Sequence, residues 1–403
     1  MKKLMCVFAF LLLVACGTNN SDQEEGESGQ TVNEEIPEKV NQLGLEGLAQ
    51  VDPNEAGNRF LSPVSIWLAM NMAYHGTSGE TKTEIEQAFG IENVNGEELS
   101  TANHTLLTNI GETEEEIELS LANSLWLNEA FTLQPGYQEQ VEKQYLAQLE
   151  PITTADAINN WVAEQTNDRI EQMIDQVDPS LAVLLLNAIY FQGPWTYPFN
   201  EELTEDSDFH LSDGDTKQTS FMRLSEDLAY FEDEEVQVVA LPYGEEETIQ
   251  MQIFLPSEKL DFEDFQTRFD VEKWQAWTKE MQTENGSVSL PSFEFEYETE
   301  LNQAFQQMGI EQAFDPDHAD FSEMLDLTES NNAYISDTLH KTFISVDESG
   351  TEAAGATSVA IDVTSAPMEE PFQMEINRPF VFTITDTERE LILFAGSVED
   401  PTE

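Results

Sequence analysis

Basic residues are scarce in this chain of 403 residues, which carries 16 Lys and Arg against 80 Asp and Glu and a formal net charge of −64. So few cations cannot form the basic surface that a nucleic-acid backbone requires, which argues against nucleic acid as a partner. The acids are spread along most of the chain, and at low salt they repel one another and oppose the compact state. Because salt screens that repulsion, we expect a halophilic or alkaliphilic extracellular setting. Ordinary solubilising charge and an acidic site for a cationic ligand are the alternatives.

Cysteine is equally scarce, since Cys6 and Cys16 are the only two. Both belong to the N-terminal segment, in which Lys2 and Lys3 precede an unbroken apolar run over residues 4–15. That run is too short to span a hydrocarbon core of about 30 Å, but it fits the apolar part of a secretory signal. The signal prediction leaves the exported fold without a disulfide.

The end of the apolar run, residues 13–17 with the sequence LVACG, resembles a bacterial lipoprotein cleavage box. The resemblance implies that residues 1–15 are a lipoprotein signal peptide and that Cys16 becomes a lipidated N-terminus. The protein would then lie on the extracellular side of the cell envelope, anchored through Cys16, or be secreted if the anchor is not used. An ordinary signal peptide that happens to contain a cysteine is the alternative.

Downstream of Cys16 the chain shows one composition break. Residues 17–38 contain seven acids, no bases and almost no large apolar residues, so we predict an acidic disordered tether over residues 16–38. No second linker, low-complexity tract or repeat follows, which favours one domain over residues 39–403.

Catalytic motifs are also missing. None of the five His lies in an HExxH motif, and the sequence has no P-loop, GxGxxG or GxSxG and no Cys–His metal pattern. With 80 acids, a catalytic carboxylate pair cannot be selected by spacing. We therefore expect that the protein is not an enzyme and uses no cofactor and no metal.

Periodicity predicts helices early in the chain and mostly strands later. The predicted helices cover residues 64–74, 78–89 and 156–174. The predicted strands cover 184–191, buried on both faces, the alternating stretch 287–297, and a hairpin over 379–384 and 391–397. Helices and strands are mixed without a βα repeat, so the predicted class is α+β.

Residues 347–367 have a composition unlike the rest of the chain. One alternate set in this segment is small and then apolar: Thr351, Ala353, Gly355, Thr357, Val359, Ile361 and Val363. This period of two is typical of a strand with one buried face. The first half is nevertheless rich in Gly and Ala, which fix a strand poorly. The segment is thus able to form a strand without being committed to one.

The same segment resembles the hinge of the reactive-centre loop of inhibitory serpins. The matching residues are Glu348, Gly350, Thr351, Glu352, Ala353, Ala354, Gly355, Ala356 and Thr357. Other stretches agree with the family in the same order: 60–66, 158–161 with Thr166 and Ile170, 186–195, 241–243, 339–341 and 377–382. The resemblance runs from about residue 39 to 400 and implies the serpin fold, with three β-sheets, eight or nine helices and an exposed reactive-centre loop.

The resemblance also implies a function and a set of structural sites. Inhibitory members are suicide inhibitors of serine or cysteine endopeptidases: the cleaved loop inserts into the main sheet and traps the covalent acyl-enzyme. Ser62, Ser65, Asn187 and His340 match the family's shutter beneath that sheet, and Trp195 matches the breach at its top; these roles are structural, and no residue is expected to be catalytic. We expect a monomer that meets the membrane only through its lipid anchor.

The alternative function is a non-inhibitory serpin-fold binding or scaffold protein at the cell surface. Such relatives would carry Pro, charge or bulk at the inward hinge positions, where this chain has Thr351, Ala353, Gly355 and Thr357.

The family's residue count from Glu348 places the reactive bond between Thr364 and Ser365. A small β-branched residue such as Thr suits elastase-like or subtilisin-like enzymes. No Lys or Arg lies between Lys341 and Arg378, which argues against a trypsin-like target. Cleavage after Asp362, Val363 or Met368 is the alternative register.

Overall fold

The computed structural model describes residues 21–110, 114, 116–179, 181–327, 333–351 and 371–402, with only the backbone for 21–34. Its helices are α1 (Ser21–Gln50), α2 (Pro63–His75), α3 (Gly79–Ala88), α4 (Gly96–Ile110), α5 (Pro135–Gln144), α6 (Ala155–Gln165), α7 (Phe262–Arg268), α8 (Val271–Glu280) and α9 (Asn302–Gln307). The predicted signal peptide, Cys16, hinge residues 352–357 and the bond between Thr364 and Ser365 lie outside the described residues.

The strands belong to two hydrogen-bonded networks. Their bounds are β1 (Arg59–Leu61), β2 (Glu118–Leu127), β3 (Gln148–Pro151), β4 (Val183–Pro194), β5 (Glu205–His210), β6 (Thr216–Glu232), β7 (Val236–Tyr243), β8 (Ile249–Pro256), β9 (Gln282–Pro291), β10 (Phe293–Glu300), β11 (Leu339–Val346), β12 (Gly350–Thr351), β13 (Phe372–Glu375), β14 (Phe380–Asp386) and β15 (Leu391–Val398). Helices and strands are mixed as predicted, and the α+β class is confirmed.

The nine-stranded network has the order β1-β15-β14-β8-β7-β6-β9-β13, with β5 paired to β6. The long strand β6 pairs with β9 over residues 221–230 and with β7 over residues 229–232. Because one continuous strand serves both pairings, two of the three expected sheets are joined into a single network.

The six-stranded sheet has the order β10-β11-β12-β4-β2-β3. Helix α6 covers its outer face, where Ile158, Trp161 and Val162 pack in one cluster with Leu186 and Ala188 of β4. Residues 188–191 of β4 are buried as predicted, but Leu184 and Leu185 are only partly buried, because they line the cavity described below.

The predicted helix over 64–74 is confirmed as α2, which lies between β4 and β15. Its first turn is set by Ser62, whose side chain accepts a hydrogen bond from the Ser65 backbone, and by Pro63 in the first helical position. Most of α2 is buried, so this helix forms the floor beneath the six-stranded sheet. The predicted helix over 78–89 is likewise confirmed as α3, and Gly90 beyond it has a φ of +62°.

Two predicted boundaries were wrong. Helix α6 ends at Gln165 rather than near residue 174, because the Thr166 hydroxyl bonds to the Val162 carbonyl and accepts the Ile170 amide. Asn167 and Asp168 then take φ values of +48° and +61°. The stretch 287–297 is two strands rather than one, since β9 ends at Pro291 and β10 begins in the other sheet at Phe293.

The N-terminal helix also differs from the sequence prediction. Helix α1 begins at Ser21, so residues 21–38 are helical where a disordered tether is expected. The packed part of the helix begins at Ile36, which is buried in the main core together with Val40 and Leu43. No described helix is long and apolar enough to cross a bilayer.

The predicted hairpin is confirmed as β14 and β15, which are buried at every position. Phe60 of β1 stacks on Phe394 at 5.2 Å and on Phe382 at 5.6 Å between ring centroids. Phe60 also contacts Phe295 of β10 edge-on with 6.3 Å between ring centroids, so this aromatic layer joins the two networks.

Candidate functional site

The six-stranded sheet has an unusual centre. Strand β12 pairs on one side with β4, where Thr351 faces Gly193, and on the other side with β11, where it faces Val346. No ladder joins β4 directly to β11. Within the described ranges, Gly350–Thr351 is therefore the only strand backbone between these two long strands, and it lies at one end of both.

A tight turn carries the chain from β11 into β12. The Asp347 amide donates to the Gly350 carbonyl at 3.0 Å. The Asp347 carboxylate accepts the backbone amides of Ser349 at 2.7 Å and Gly350 at 3.2 Å. Such an Asp turn reverses the chain, so β12 starts back along the strand it has just left.

Trp195 holds this turn from the side of β4. Its indole Nε1 donates to the Asp347 carbonyl and its amide to the Ser349 carbonyl, each at 2.9 Å. The Phe199 amide donates to the Glu348 carbonyl at 2.9 Å, and the Thr204 hydroxyl donates to Glu348 Oε1 at 2.7 Å. The structure thus places Trp195 with hinge residues Glu348 and Gly350 at one end of the sheet.

Tyr243 closes the same end from below. Its hydroxyl lies 2.6 Å from Thr351 Oγ1, and both residues are buried. Its ring stacks on Trp195 with 4.4 Å between centroids. Burial raises the pKa of the Tyr243 hydroxyl, which therefore stays neutral. From the sequence this tyrosine belongs only to the family stretch 241–243, and its contact with the hinge was not predicted.

The four predicted shutter residues meet beneath the middle of the sheet. The Ser62 amide donates to His340 Nε2 at 3.1 Å, and the Ser62 hydroxyl donates to the Leu393 carbonyl at 2.9 Å. The Ser65 hydroxyl donates to Asn187 Oδ1. These bonds connect α2 with β4, β11 and β15.

Burial lowers the pKa of His340 to about 4. This direction agrees with the hydrogen bond, because Nε2 accepts from Ser62 only when that nitrogen is unprotonated. His340 is therefore a neutral side chain at the centre of the network.

Two residues of this network were not predicted from the sequence. Asn123 accepts from Asn187 Nδ2 at 2.7 Å and donates to the Tyr145 carbonyl at 2.7 Å. Thr342 donates to the Phe60 carbonyl at 2.6 Å. The available signal was their position, since each is a polar residue at an inward position of a strand.

A cavity of about 630 Å³, here called the lower cavity, lies on the side of the shutter away from the hinge. Residues 183–187 of β4 form one wall and residues 338–340 form the other, while Ser65 and Met70 of α2 line the floor. Nearer the hinge a separate and much smaller cavity, of about 10 Å³, lies beside Ile189, Phe191 and Ile344. The gap is therefore tight near Thr351 and wide beyond the shutter.

The site holds hydrogen-bonding side chains but no arrangement typical of catalysis. Among the described residues of the site, His340 and the two serines bond to backbone groups and amides, and none of these bonds pairs a nucleophile with a base. Across the described ranges of the chain, no group of His, Cys, Asp and Glu is arranged to hold a metal ion.

Comparisons with known proteins agree over nearly the whole chain. The family model described as "Serpin (serine protease inhibitor)" matches residues 38–401. An uncharacterized serpin-like protein of Methanosarcina acetivorans is 32% identical over 358 residues, which cover 86% of this chain and 82% of the relative. The leukocyte elastase inhibitor of Xenopus laevis is 33% identical over 364 residues, covering 86% and 94%. The crystal structure of the thermophilic serpin tengpin in its native state superposes with a TM-score of 0.83 at 30% identity, covering 90% and 93%.

The contact between Tyr243 and Thr351 can be tested by double substitution. Tyr243→Phe leaves a buried Thr351 hydroxyl without this partner and should lower the free energy of unfolding by about 1–3 kcal/mol. Adding Thr351→Val removes the unpartnered hydroxyl and should restore most of the lost free energy of unfolding. Chemical denaturation of both variants measures this, and a double variant no more stable than the single one would contradict the assignment.

His340 predicts a pH dependence of stability. Because its folded pKa, about 4, is below the unfolded value, the unfolded state binds more protons between pH 4 and about 6.5. The contribution of His340 to the free energy of unfolding is therefore fully present above about pH 6.5. It is lost as the pH falls toward 4, and the loss is on the order of 3 kcal/mol in total. When the free energy of unfolding is measured by chemical denaturation from pH 7 to 4, it should fall less steeply with pH for His340→Gln than for the wild type. The variant His210→Gln, at an exposed position, should keep the wild-type slope, and equal slopes for all three proteins would contradict the prediction.

Proposed function

The chain belongs to the serpin family, and we propose that it is a suicide inhibitor of serine endopeptidases rather than a catalyst. In this proposal a protease cleaves the loop that follows Thr351 between Thr364 and Ser365, and its nucleophile forms an acyl-enzyme with the Thr364 carbonyl. The cleaved loop then inserts between β4 and β11 and carries the protease to the far end of the sheet before deacylation. Cysteine endopeptidases remain a further target class.

The observation that carries the proposal is strand β12. Gly350 and Thr351 already pair with both β4 and β11, so the first two residues of the proposed inserted strand are in place. The strands on either side have no direct ladder, so inserting a strand between them breaks no existing sheet pairing.

The register of β12 predicts where each loop residue would arrive. Thr351 faces Gly193 and Val346, and each further loop residue moves one position back along both strands. Ala353 would then face Phe191 and Ile344. Thr357 would face Asn187 and His340, so a hydroxyl would enter the polar network of the shutter.

The side chains of the loop match the width of the gap along that path. Thr351 points inward, since it is buried against Tyr243, and alternate residues after it would also point inward. Ala353 and Gly355 would pass the narrow part of the gap beside Phe191 and Ile344. Val359 and Ile361 would reach the lower cavity.

Insertion by this path is favourable enough to be one-way. Each large inward side chain would gain roughly 1.5–3 kcal/mol on burial, and each new ladder hydrogen bond about 0.5–1.5 kcal/mol. In this register Ile361 faces Val183, the first residue of β4, so Thr364 would leave the sheet just beyond the end of the strand. A protease attached there would be held against the far end of the domain.

The proposed targets are elastase-like or subtilisin-like enzymes that cleave between Thr364 and Ser365. Support comes from the small residue at that position and from the absence of Lys and Arg between 341 and 378. A relative named leukocyte elastase inhibitor also matches the chain over most of both lengths. We place the protein, as a monomer, outside the cell and anchored through a lipid on Cys16, where its acidic surface suits a saline medium.

Incubation with proteases of different specificity tests the proposal. The mature domain is mixed with elastase-like, subtilisin-like, chymotrypsin-like and trypsin-like enzymes at low and high salt, and the products are separated on denaturing gels and weighed by mass spectrometry. A gel-stable adduct and a fragment beginning at Ser365 are expected with the first two classes. Cleavage without an adduct by every enzyme would support the non-inhibitory alternative.

Two adjacent hinge substitutions make a matched pair for this assay. Ala353→Arg places a long cation at an inward position beside Phe191 and should convert trapping into simple cleavage. Glu352→Arg introduces the same side chain at the neighbouring outward position and should leave most trapping intact. The ratio of cleaved inhibitor to adduct measures both, and equal ratios would contradict the predicted register.

A further inference from the structure

We propose that the lower cavity binds an amphiphile with an alkyl chain and a cationic head group, and that the bound molecule stops loop insertion at the shutter. The binding itself is argued from the cavity alone. Its effect on inhibition rests on the proposed function, because only an inserting loop would compete for the same space.

The size of the cavity is that of a small-molecule site. Its volume of about 630 Å³ falls within the usual range of about 300–1,000 Å³, whereas protein interiors are normally close-packed. Four elements supply an apolar lining: Met70 of α2, Leu185 of β4, Phe305 of α9 and Leu339 of β11, with Met324 below them. An alkyl chain placed there would leave water for a largely apolar surface.

The cavity also has a polar group with no partner. Thr338 Oγ1 is buried and makes no hydrogen bond in the structure, although Thr338 lines the wall beside β11. The other polar groups of the wall, Ser65, Asn187 and His340, are already bonded within the shutter. A buried hydroxyl without a partner is costly, and rotation of the Thr338 side chain toward the cavity would let an ammonium or hydroxyl head group bond to it.

The charges at the rim select the sign of the head group. Glu298, Glu300, Asp175 and Asp337 lie around the opening and are exposed. The cation in the lining, Lys341, is already held by Glu296 at 2.9 Å and lies 3.6 Å from Glu298. The neutral His340 adds no positive charge. A cationic head group is therefore favoured and a carboxylate is repelled.

Occupancy of the lower cavity would have a definite consequence for inhibition. In the predicted register Val359 and Ile361 arrive between residues 183–185 and Thr338, where the alkyl chain would lie. The loop would then insert only as far as Thr357. A protease held by a half-inserted loop would complete deacylation, so the inhibitor would be consumed as a substrate.

Three compounds with one chain length and different head groups test the binding. Decylamine, decanol and decanoate, each kept below its micelle concentration, are titrated into the intact protein by isothermal calorimetry. The expected order of affinity is decylamine, then decanol, then decanoate, and added NaCl should narrow the difference by screening. No saturable binding, or decanoate binding as well as decylamine, would overturn the proposal.

A pair of variants on one strand locates the site. Glu300→Gln removes a rim carboxylate and should weaken decylamine binding about two- to fivefold while leaving decanol unchanged. Glu294 is also exposed on β10 but does not line the cavity, so Glu294→Gln should change the affinity for neither compound. Equal effects of the two variants on decylamine would overturn the assignment of the head group.

Filling the cavity gives an independent check. Ala69 lines it from α2, and Ala69→Phe should abolish binding of decylamine and decanol alike. Unchanged affinity in a folded variant would place the ligand elsewhere and overturn the proposal. If Ala69→Phe does not fold, the pair of glutamate variants on β10 decides the question without it.

The trapping assay then tests the consequence. In the wild-type protein, saturating decylamine should raise cleaved inhibitor at the expense of adduct, whereas decanoate should not. If decylamine binds by calorimetry and the adduct is unaffected, competition with the loop is refuted. If no protease is trapped even without ligand, the proposed function fails, and the calorimetry still decides whether the cavity binds.

Discussion

The separation of β4 from β11 is the constraint on which the rest of the structure depends. These two long strands share a sheet, yet only Gly350–Thr351 connects them by ladder hydrogen bonds within the described residues. Main-chain groups along a strand edge need partners, so a sheet of this kind has a place for one more strand. The hinge, the shutter and the lower cavity lie in that order along the gap between β4 and β11.

Two sets of interactions hold the sheet in this arrangement. At the hinge end, Trp195 and Tyr243 fix the turn after β11 through hydrogen bonds to Asp347 and Thr351. In the middle, Ser62 joins His340 of β11 to the Leu393 carbonyl of β15. Both sets use hydrogen bonds worth about a kcal/mol each, so they can hold the strands in place and still yield to a strand that forms many such bonds at once.

The sequence predicted the parts of the fold whose signals are local. The cap at Ser62, the proline after it and the apolar run that follows define α2, and the turn residues around 385–390 define the hairpin of β14 and β15. The end of α6 was not predictable from periodicity, because Ile170 and Met173 pack in the same cluster as Trp161 after the helix has ended. The break at Ser292 did leave a local sign, since the buried positions are even in β9 (Val288 and Leu290) and odd in β10 (Phe293 and Phe295), but this shift of phase was not used in the prediction.

In the candidate site, too, some features could be predicted from the sequence and others could not. The shutter residues were found by resemblance, but their hydrogen bonds connect positions up to 331 residues apart, which no local pattern can show. Asn123, Thr342 and Tyr243 were missed because a polar residue on a strand looks solvent-facing until its partner is known. The lower cavity could not be predicted at all, since an unfilled volume depends on how four separate elements pack.

Thermal unfolding before and after loop cleavage tests the central claim most directly. The loop is cut near residue 364 by an enzyme that releases the product, both fragments are kept together, and the unfolding temperature is compared with that of the intact protein. If the loop inserts between β4 and β11, the cleaved protein gains ladder hydrogen bonds and buried side chains and should unfold at a markedly higher temperature. An unfolding temperature that stays the same or falls would show that the place between these strands is not filled by the loop.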